Sequence, residues 1–223
     1  MTESDDVFLT RHGSRIDKED RNWLQKAGHR RDDDPHLSSA GEEQASQLAV
    51  KMAAIHAEDS LAHIVSSPFV RCVQTALPIA EALGLPIKIE AGICEILDRF
   101  PPKFLDTKEL HDLYPLVDTT YESIVARSSL SVEFSDGQAA RRAGRAALEA
   151  RRRLKGRILF VGHGASCLGI AEAFGRSDYI GYASLSHFAC NGEASGTWEL
   201  VGTLGDVSHL SAKHQRTSLQ SAF

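Results

Sequence analysis

Val7-Phe8-Leu9-Thr10, followed at once by Arg11-His12-Gly13-Ser14-Arg15, is the stretch from which the fold can be read. The first four residues are β-prone and read as a short buried strand; the polar residues after it form a loop at the strand's carboxyl end. The same arrangement recurs along the chain. His63-Ile64-Val65-Ser66 reads as a strand ended by Ser67-Pro68, and Arg157 to Val161 as a strand followed by Gly162-His163-Gly164. Ile87-Lys88-Ile89 is a further short strand. Helices of crossover length lie between them. Ser38 or Ser39 can cap a helix running to about Ala57; with Ser39 as the cap, Glu42 takes the capping-box position. Val70 to Leu83 reads as a helix stopped by Gly84, Gly137 to Leu154 as a long alanine- and arginine-rich helix, and Cys167 to Gly175 as another. Ser184 to Leu204 reads as a closing hairpin. Strands alternating with such helices predict an α/β protein, a three-layer α/β/α arrangement around a mostly parallel central sheet.

The 223 residues fit one domain, 1–223, carrying two polar or proline-rich insertions at about 16–36 and 98–120. The first contains Asp32-Asp33-Asp34-Pro35, which reads as exposed loop. With 42% hydrophobic and 25% charged residues, the chain has the composition of a folded globular protein rather than a disordered one. No run approaches the roughly 20 apolar residues that span a bilayer. Met1 to Asp6 is acidic where a signal peptide would be basic and then apolar, so the expected location is cytoplasmic. The formal net charge of −5 argues against a general nucleic-acid binder. Cys72, Cys94, Cys167 and Cys190 are too far apart for zinc-type spacing and read as free, mostly buried thiols.

In parallel α/β sheets ligands bind at the carboxyl ends of the strands. Arg11, His12 and Arg15 follow the first strand, Arg71 the second, and His163 the late one; Glu95 lies just beyond the third. Guanidinium groups bind phosphate dianions through paired, charge-assisted hydrogen bonds. A neutral imidazole can attack phosphorus, a protonated one can stabilise the transferring oxygens, and a glutamic acid can protonate the leaving oxygen. Arginine and imidazolium charges would supply what magnesium supplies elsewhere, so no metal and no cofactor are expected. The G-x-S-x-G and G-x-x-x-x-G-K-[ST] patterns do not occur.

Leu9-Thr10-Arg11-His12-Gly13, Leu37-Ser38-Ser39-Ala40-Gly41, Ser67 to Ala76 and Val161 to Ser166 together resemble, in order, the blocks of the histidine phosphatase superfamily, the phosphoglycerate mutase-like proteins. The resemblance implies that fold, His12 as the nucleophile that becomes phosphohistidine, and Arg11, Arg71 and His163 as phosphate ligands. It places Glu95 as proton donor. Arg15, Ser67 to Ala76 and the tail from Gly196 to Leu210 look similar to the phosphatase domains of suppressor of T-cell receptor signalling proteins and ecdysteroid-phosphate phosphatases. Arg15 would be an added phosphate contact, while Ser14 stands where glutamate is common. The implied activity is metal-independent hydrolysis of a phosphomonoester, either a small-molecule phosphate or a phosphotyrosine-like aryl phosphate on a phosphoprotein. A homodimer is expected only by analogy. Two alternatives remain: a phosphoglycerate-type mutase, and a catalytically weak module binding phosphorylated partners. The arginines from Arg141 to Arg153 motivate the second; they read otherwise as a solvated face, or as stems packing over apolar surface.

Overall fold

The computed structural model describes residues 4–27, 31–191 and 197–221. Its six strands are β1 (Val7–Arg11), β2 (Leu61–Ser66), β3 (Ile87–Ile89), β4 (Arg157–Gly162), β5 (Leu185–Cys190) and β6 (Trp198–Asp206), in the sheet order β3-β2-β4-β1-β5-β6. The first four are mutually parallel, and β5 and β6 add to the edge antiparallel. The helices are α1 (Trp23–Lys26), α2 (Ser39–Glu58), α3 (Val70–Leu83), α4 (Thr107–Leu113), α5 (Asp136–Arg153), α6 (Gly164–Ala173) and α7 (Ala212–Gln220).

Both faces of the parallel strands are buried, as crossover helices require. Side chains alternate between the two faces. Phe8, Ile64, Leu159 and Val161 pack with Leu48 and Met52 of α2 and Val73 and Ile79 of α3. Val7, Leu9, Val65 and Phe160 pack with Ala143 and Ala147 of α5 and Ile170 of α6. The α5–α6 contact is close because it is built on glycine: a Cβ on Gly169 would stand 1.8 Å from the Ala140 carbonyl oxygen. This is the three-layer, mostly parallel architecture expected from the sequence.

Several boundaries differ. Ser38 caps α2, accepting from Gly41 N, so Glu42 does not occupy the capping-box position. The late helix begins at Gly164 rather than Cys167, which makes His163 its N-cap residue. Helix α7 has no counterpart in the sequence reading; its buried residues are His214 and Ser218, so no apolar stripe announces it. The 16–36 stretch holds a 3-10 turn at Ile16–Lys18 and α1, and the 98–120 stretch holds α4, capped reciprocally by Asp106 and Glu109. The hairpin of β5 and β6 is present; its turn, like Gly196 and the first three residues of the acidic N-terminus, lies outside the described residues. Cys72, Cys94 and Cys167 are buried free thiols, and Cys190 is half-buried. No helix among the described residues is long and apolar enough to cross a membrane.

Candidate active site

Strand register brings the two histidines together. Arg11 of β1 pairs with Gly162 of β4, so His12 and His163 leave the sheet side by side, one residue later. His12 N donates to the Gly162 carbonyl at 3.0 Å. The two rings lie 5.2 Å apart, edge to face, and neither is exposed. On the other side of β4, Ser67 N donates to the Val161 carbonyl, and the chain turns into α3 with Arg71 in its first turn.

The loop carrying His12 is clamped from both flanks. Gly13 N donates to Thr75 Oγ1 and Ser14 N to Gln44 Oε1. Gly13 also runs against Gly41 at the start of α2: a Cβ on Gly13 would meet the Gly41 carbonyl oxygen at 2.6 Å, and one on Gly41 would meet the Ser14 carbonyl oxygen at 2.2 Å. Neither position has room for a side chain.

His12 Nδ1 lies 2.7 Å from the Gly13 carbonyl oxygen. A carbonyl can only accept, so the proton sits on Nδ1 and the lone pair on Nε2. Arg71 Nε donates to that Nε2 at 3.3 Å. Burial, and then the charges of Arg71 and Arg11, hold the His12 imidazole well below its usual pKa, so it is neutral near pH 7. Burial, Arg71 and His12 do the same to His163. His163 too is therefore neutral near pH 7.

Arg71 is 1% exposed; its guanidinium lies over the Phe69 ring and faces three polar groups: His12, Glu95 Oε2 at 3.4 Å from Nη2, and Asp34 Oδ1 at 3.6 Å from Nη1. Glu95 Oε2 is also 3.5 Å from His163 Nδ1. His12, His163, Arg71 and Glu95 thus form one cluster. Arg11 adjoins it at Gly164, with Nη1 donating to the Ile180 and Ser221 carbonyls and the guanidinium over the Tyr182 ring. Its Nε is buried and makes no hydrogen bond. Arg15 is near enough for its charge to bear on both histidines, but Nε and Nη2 are held by Asp17 at 2.9 and 2.6 Å.

Two residues of the cluster escaped the sequence reading. Ser67 Oγ lies 2.7 Å from His163 Nε2, and its place in the Ser67–Ala76 block was the available signal. Asp34, which the sequence places in an exposed loop, is instead 1% exposed, accepts from Val70 N at 2.9 Å and faces Arg71. The basic helix is corrected in part as well. Arg142 and Arg151 of α5 are tied into the protein, Arg142 to Glu133 and the Gly92, Cys94 and Glu95 carbonyls, Arg151 to Asp5.

An open cavity of about 490 Å³ reaches the cluster, lined by Arg11, Glu95, Asp136, Gly164, Tyr179 and Ser221 among others. A larger groove of about 770 Å³ along α5, between Val125, Leu130, Arg145 and Arg152, contains neither histidine. One ligand atom each from His12, Glu95 and His163 lie within 4.8 Å of one another, a metal-like set. The Arg71 guanidinium, in contact with both His12 and Glu95, puts a fixed positive charge beside them. That favours an anion over a cation.

Residues 7–195 match the family described as histidine phosphatase superfamily (branch 1). The chain belongs to that superfamily. The buried histidine pair with Glu95 fits a phosphatase active site of the superfamily's type, and the chain is an enzyme of that kind. A probable phosphoglycerate mutase, GpmB, of Shigella boydii is 29% identical over 222 residues, covering 92% of this chain and 95% of that one. The 55 kDa subunit of transcription factor tau of Saccharomyces cerevisiae is 33% identical over 94 residues, 40% of this chain; the match spans only a fifth of that protein. Among solved structures, the ecdysone phosphate phosphatase of Bombix mori in complex with tungstate superposes with a TM-score of 0.69 at 23% identity, covering 89% of this histidine phosphatase and 92% of that chain.

Proposed function

We propose that this single-domain enzyme hydrolyses phosphomonoesters through a phosphohistidine on His12. The observation that carries the reading is the His12 tautomer: with Nδ1 committed to the Gly13 carbonyl, the Nε2 lone pair points among Arg71, His163 and Glu95. A substrate phosphate docks on the guanidinium groups of Arg11 and Arg71 and on His163. Its two negative charges offset the cations that depress the His163 pKa, so His163 takes up a proton as substrate binds and then stabilises the transferring oxygens.

Nε2 attacks phosphorus in line. The N–P bond forms as the ester P–O bond breaks, and the leaving oxygen takes its proton from the Glu95 carboxyl. Water then attacks phosphorus, giving its proton to Glu95 as the N–P bond breaks. Inorganic phosphate leaves and His12 returns to its starting tautomer. Arg71, between His12 and Glu95, holds nucleophile and proton donor on one group. The cavity favours a leaving group with an apolar ring, since Tyr179 and Ala165 form part of its wall beside Glu95. A small-molecule or aryl phosphate fits that description.

The test is turnover of p-nitrophenyl phosphate in the presence of EDTA. Wild-type protein turns over and labels transiently with phosphate; His12→Ala does neither while remaining folded. Full activity in His12→Ala refutes the nucleophile assignment. Isomerisation of 3-phosphoglycerate without release of phosphate would replace hydrolysis by mutase chemistry.

A further inference from the structure

The first turn of α3 has no cap of its own: Phe69, at the N-cap position, offers no side-chain acceptor. Asp34, 36 residues earlier in the chain, fills that place. Its Oδ1 accepts from Val70 N at 2.9 Å, putting a carboxylate at the positive end of the helix. The same oxygen lies 3.6 Å from Arg71 Nη1, and that buried nitrogen makes no hydrogen bond. Every polar group facing the Arg71 guanidinium stands at 3.3–3.6 Å, beyond the 2.7–2.9 Å of a tight charge-assisted bond, while its plane lies over the Phe69 ring. The guanidinium is balanced among three weak polar contacts. Without a carboxylate on the Asp34 side, its attraction to Glu95 would be unopposed, and it would draw toward the group that has to be free to carry a proton.

We propose that Asp34 is a positioning residue: it fixes the start of α3 through Val70 N and counterbalances Glu95 across Arg71, so that the guanidinium stays poised for the substrate phosphate. The inference rests on the phosphate-binding role given to Arg71 above. The charged and titratable groups facing Asp34 are Arg71 on α3, Arg31 and Asp33 on its own loop, and Tyr114 just after α4. Burial raises the Asp34 carboxyl to about 6, against the pull of Arg71. The carboxylate is therefore present above pH 6 and is lost as pH falls through that value. Below it, the wild-type site comes to resemble one carrying asparagine.

The test compares wild type with Asp34→Asn, whose amide oxygen can still accept from Val70 N. Because kcat/KM reports the free enzyme, its pH profile reads this carboxyl directly. The expected result is a kcat/KM for p-nitrophenyl phosphate about tenfold lower in Asp34→Asn at pH 7.5, a difference that shrinks to within about twofold at pH 5. Any pH dependence that the two proteins share divides out of the ratio. A deficit of the same size at both pH values, or none at pH 7.5, overturns the proposal; a merely structural defect would give the former. A second measurement needs no variant. The carboxyl carbon of Asp34, followed by NMR in wild-type protein, is expected to titrate near 6 and to move upward with saturating inorganic phosphate, which competes for Arg71. A midpoint unmoved by phosphate overturns it. If His12→Ala keeps its activity, the phosphohistidine reading fails, whereas the NMR titration still reports on the Asp34–Arg71 pair.

Discussion

Arg71 and Arg142 are the same residue type at two depths of the same molecule, and they are treated in opposite ways. Arg142, on α5, spends its donors on Glu133 at 2.7 and 2.9 Å and on the carbonyls of Gly92, Cys94 and Glu95 at 2.8–3.2 Å. The guanidinium of Arg71, more deeply buried, makes no hydrogen bond or ion pair under 3.3 Å, and one of its nitrogens makes no hydrogen bond at all. A buried guanidinium left short of partners costs free energy. The protein tolerates that cost at the carboxyl ends of its strands and avoids it along α5. The contrast separates an arginine with unused donor capacity, which the proposed function assigns to an incoming anion, from one that sews a loop to a helix.

The largest effect should come from breaking the open member of the pair. Arg71→Ala is expected to lower kcat/KM by about 10³-fold, the scale of losing a main oxyanion ligand, in steady-state kinetics with p-nitrophenyl phosphate. If the loss is under tenfold, the two arginines are not functionally different. The closed member should fail differently. Arg142→Ala strands the buried Glu133 carboxylate and should cost about 3 kcal/mol of stability by urea unfolding, with kcat/KM of the folded protein falling less than tenfold.

The titration of the two regions differs as well. His12 and His163 are held below their unfolded pKa, so the unfolded chain binds protons first as pH falls below about 6.5, and acid weakens the fold. Asp34 is raised to about 6, so between roughly 4 and 6 the folded state binds its proton first and offsets part of that loss. Melting temperatures measured from pH 7.5 to 5 should fall in wild type, fall less in His163→Asn, and fall more steeply in Asp34→Asn. Parallel curves for all three would sink the assignment of these shifts. The smallest effect belongs to the outer face of α5. Arg152 is 77% exposed and its ion pair with Glu149 is a surface one, so Arg152→Ala should change stability by less than about 0.5 kcal/mol.

These regions were unequally legible in the chain itself. Strands β1 to β4 and helix α3 can be read because each is a short apolar run bounded by polar or glycine-containing turns. That the two histidines meet at one sheet edge follows from the strands alone, and the β4-β1 neighbourhood seen in the structure then sets His12 beside His163. Asp34 is hidden because its partners, Val70 and Arg71, lie far along the chain, and a run of three aspartates looks like solvated loop from composition alone. Helix α7 is hidden because its buried face is His214 and Ser218. The start of α6 lies three residues before the one the sequence predicts, because Gly164-Ala165-Ser166 has weak helical preference.

The glycine contact between residues 13 and 41 has a consequence for how the protein can vary. Two stretches nearly thirty residues apart touch backbone to backbone, with no space for even a methyl group. The distance of His12 from the sheet is thus gauged by the first turn of α2 as much as by β1. In a saturation library both columns should be empty but for the parent residue, and no double change should rescue them, since each added carbon displaces the same wall.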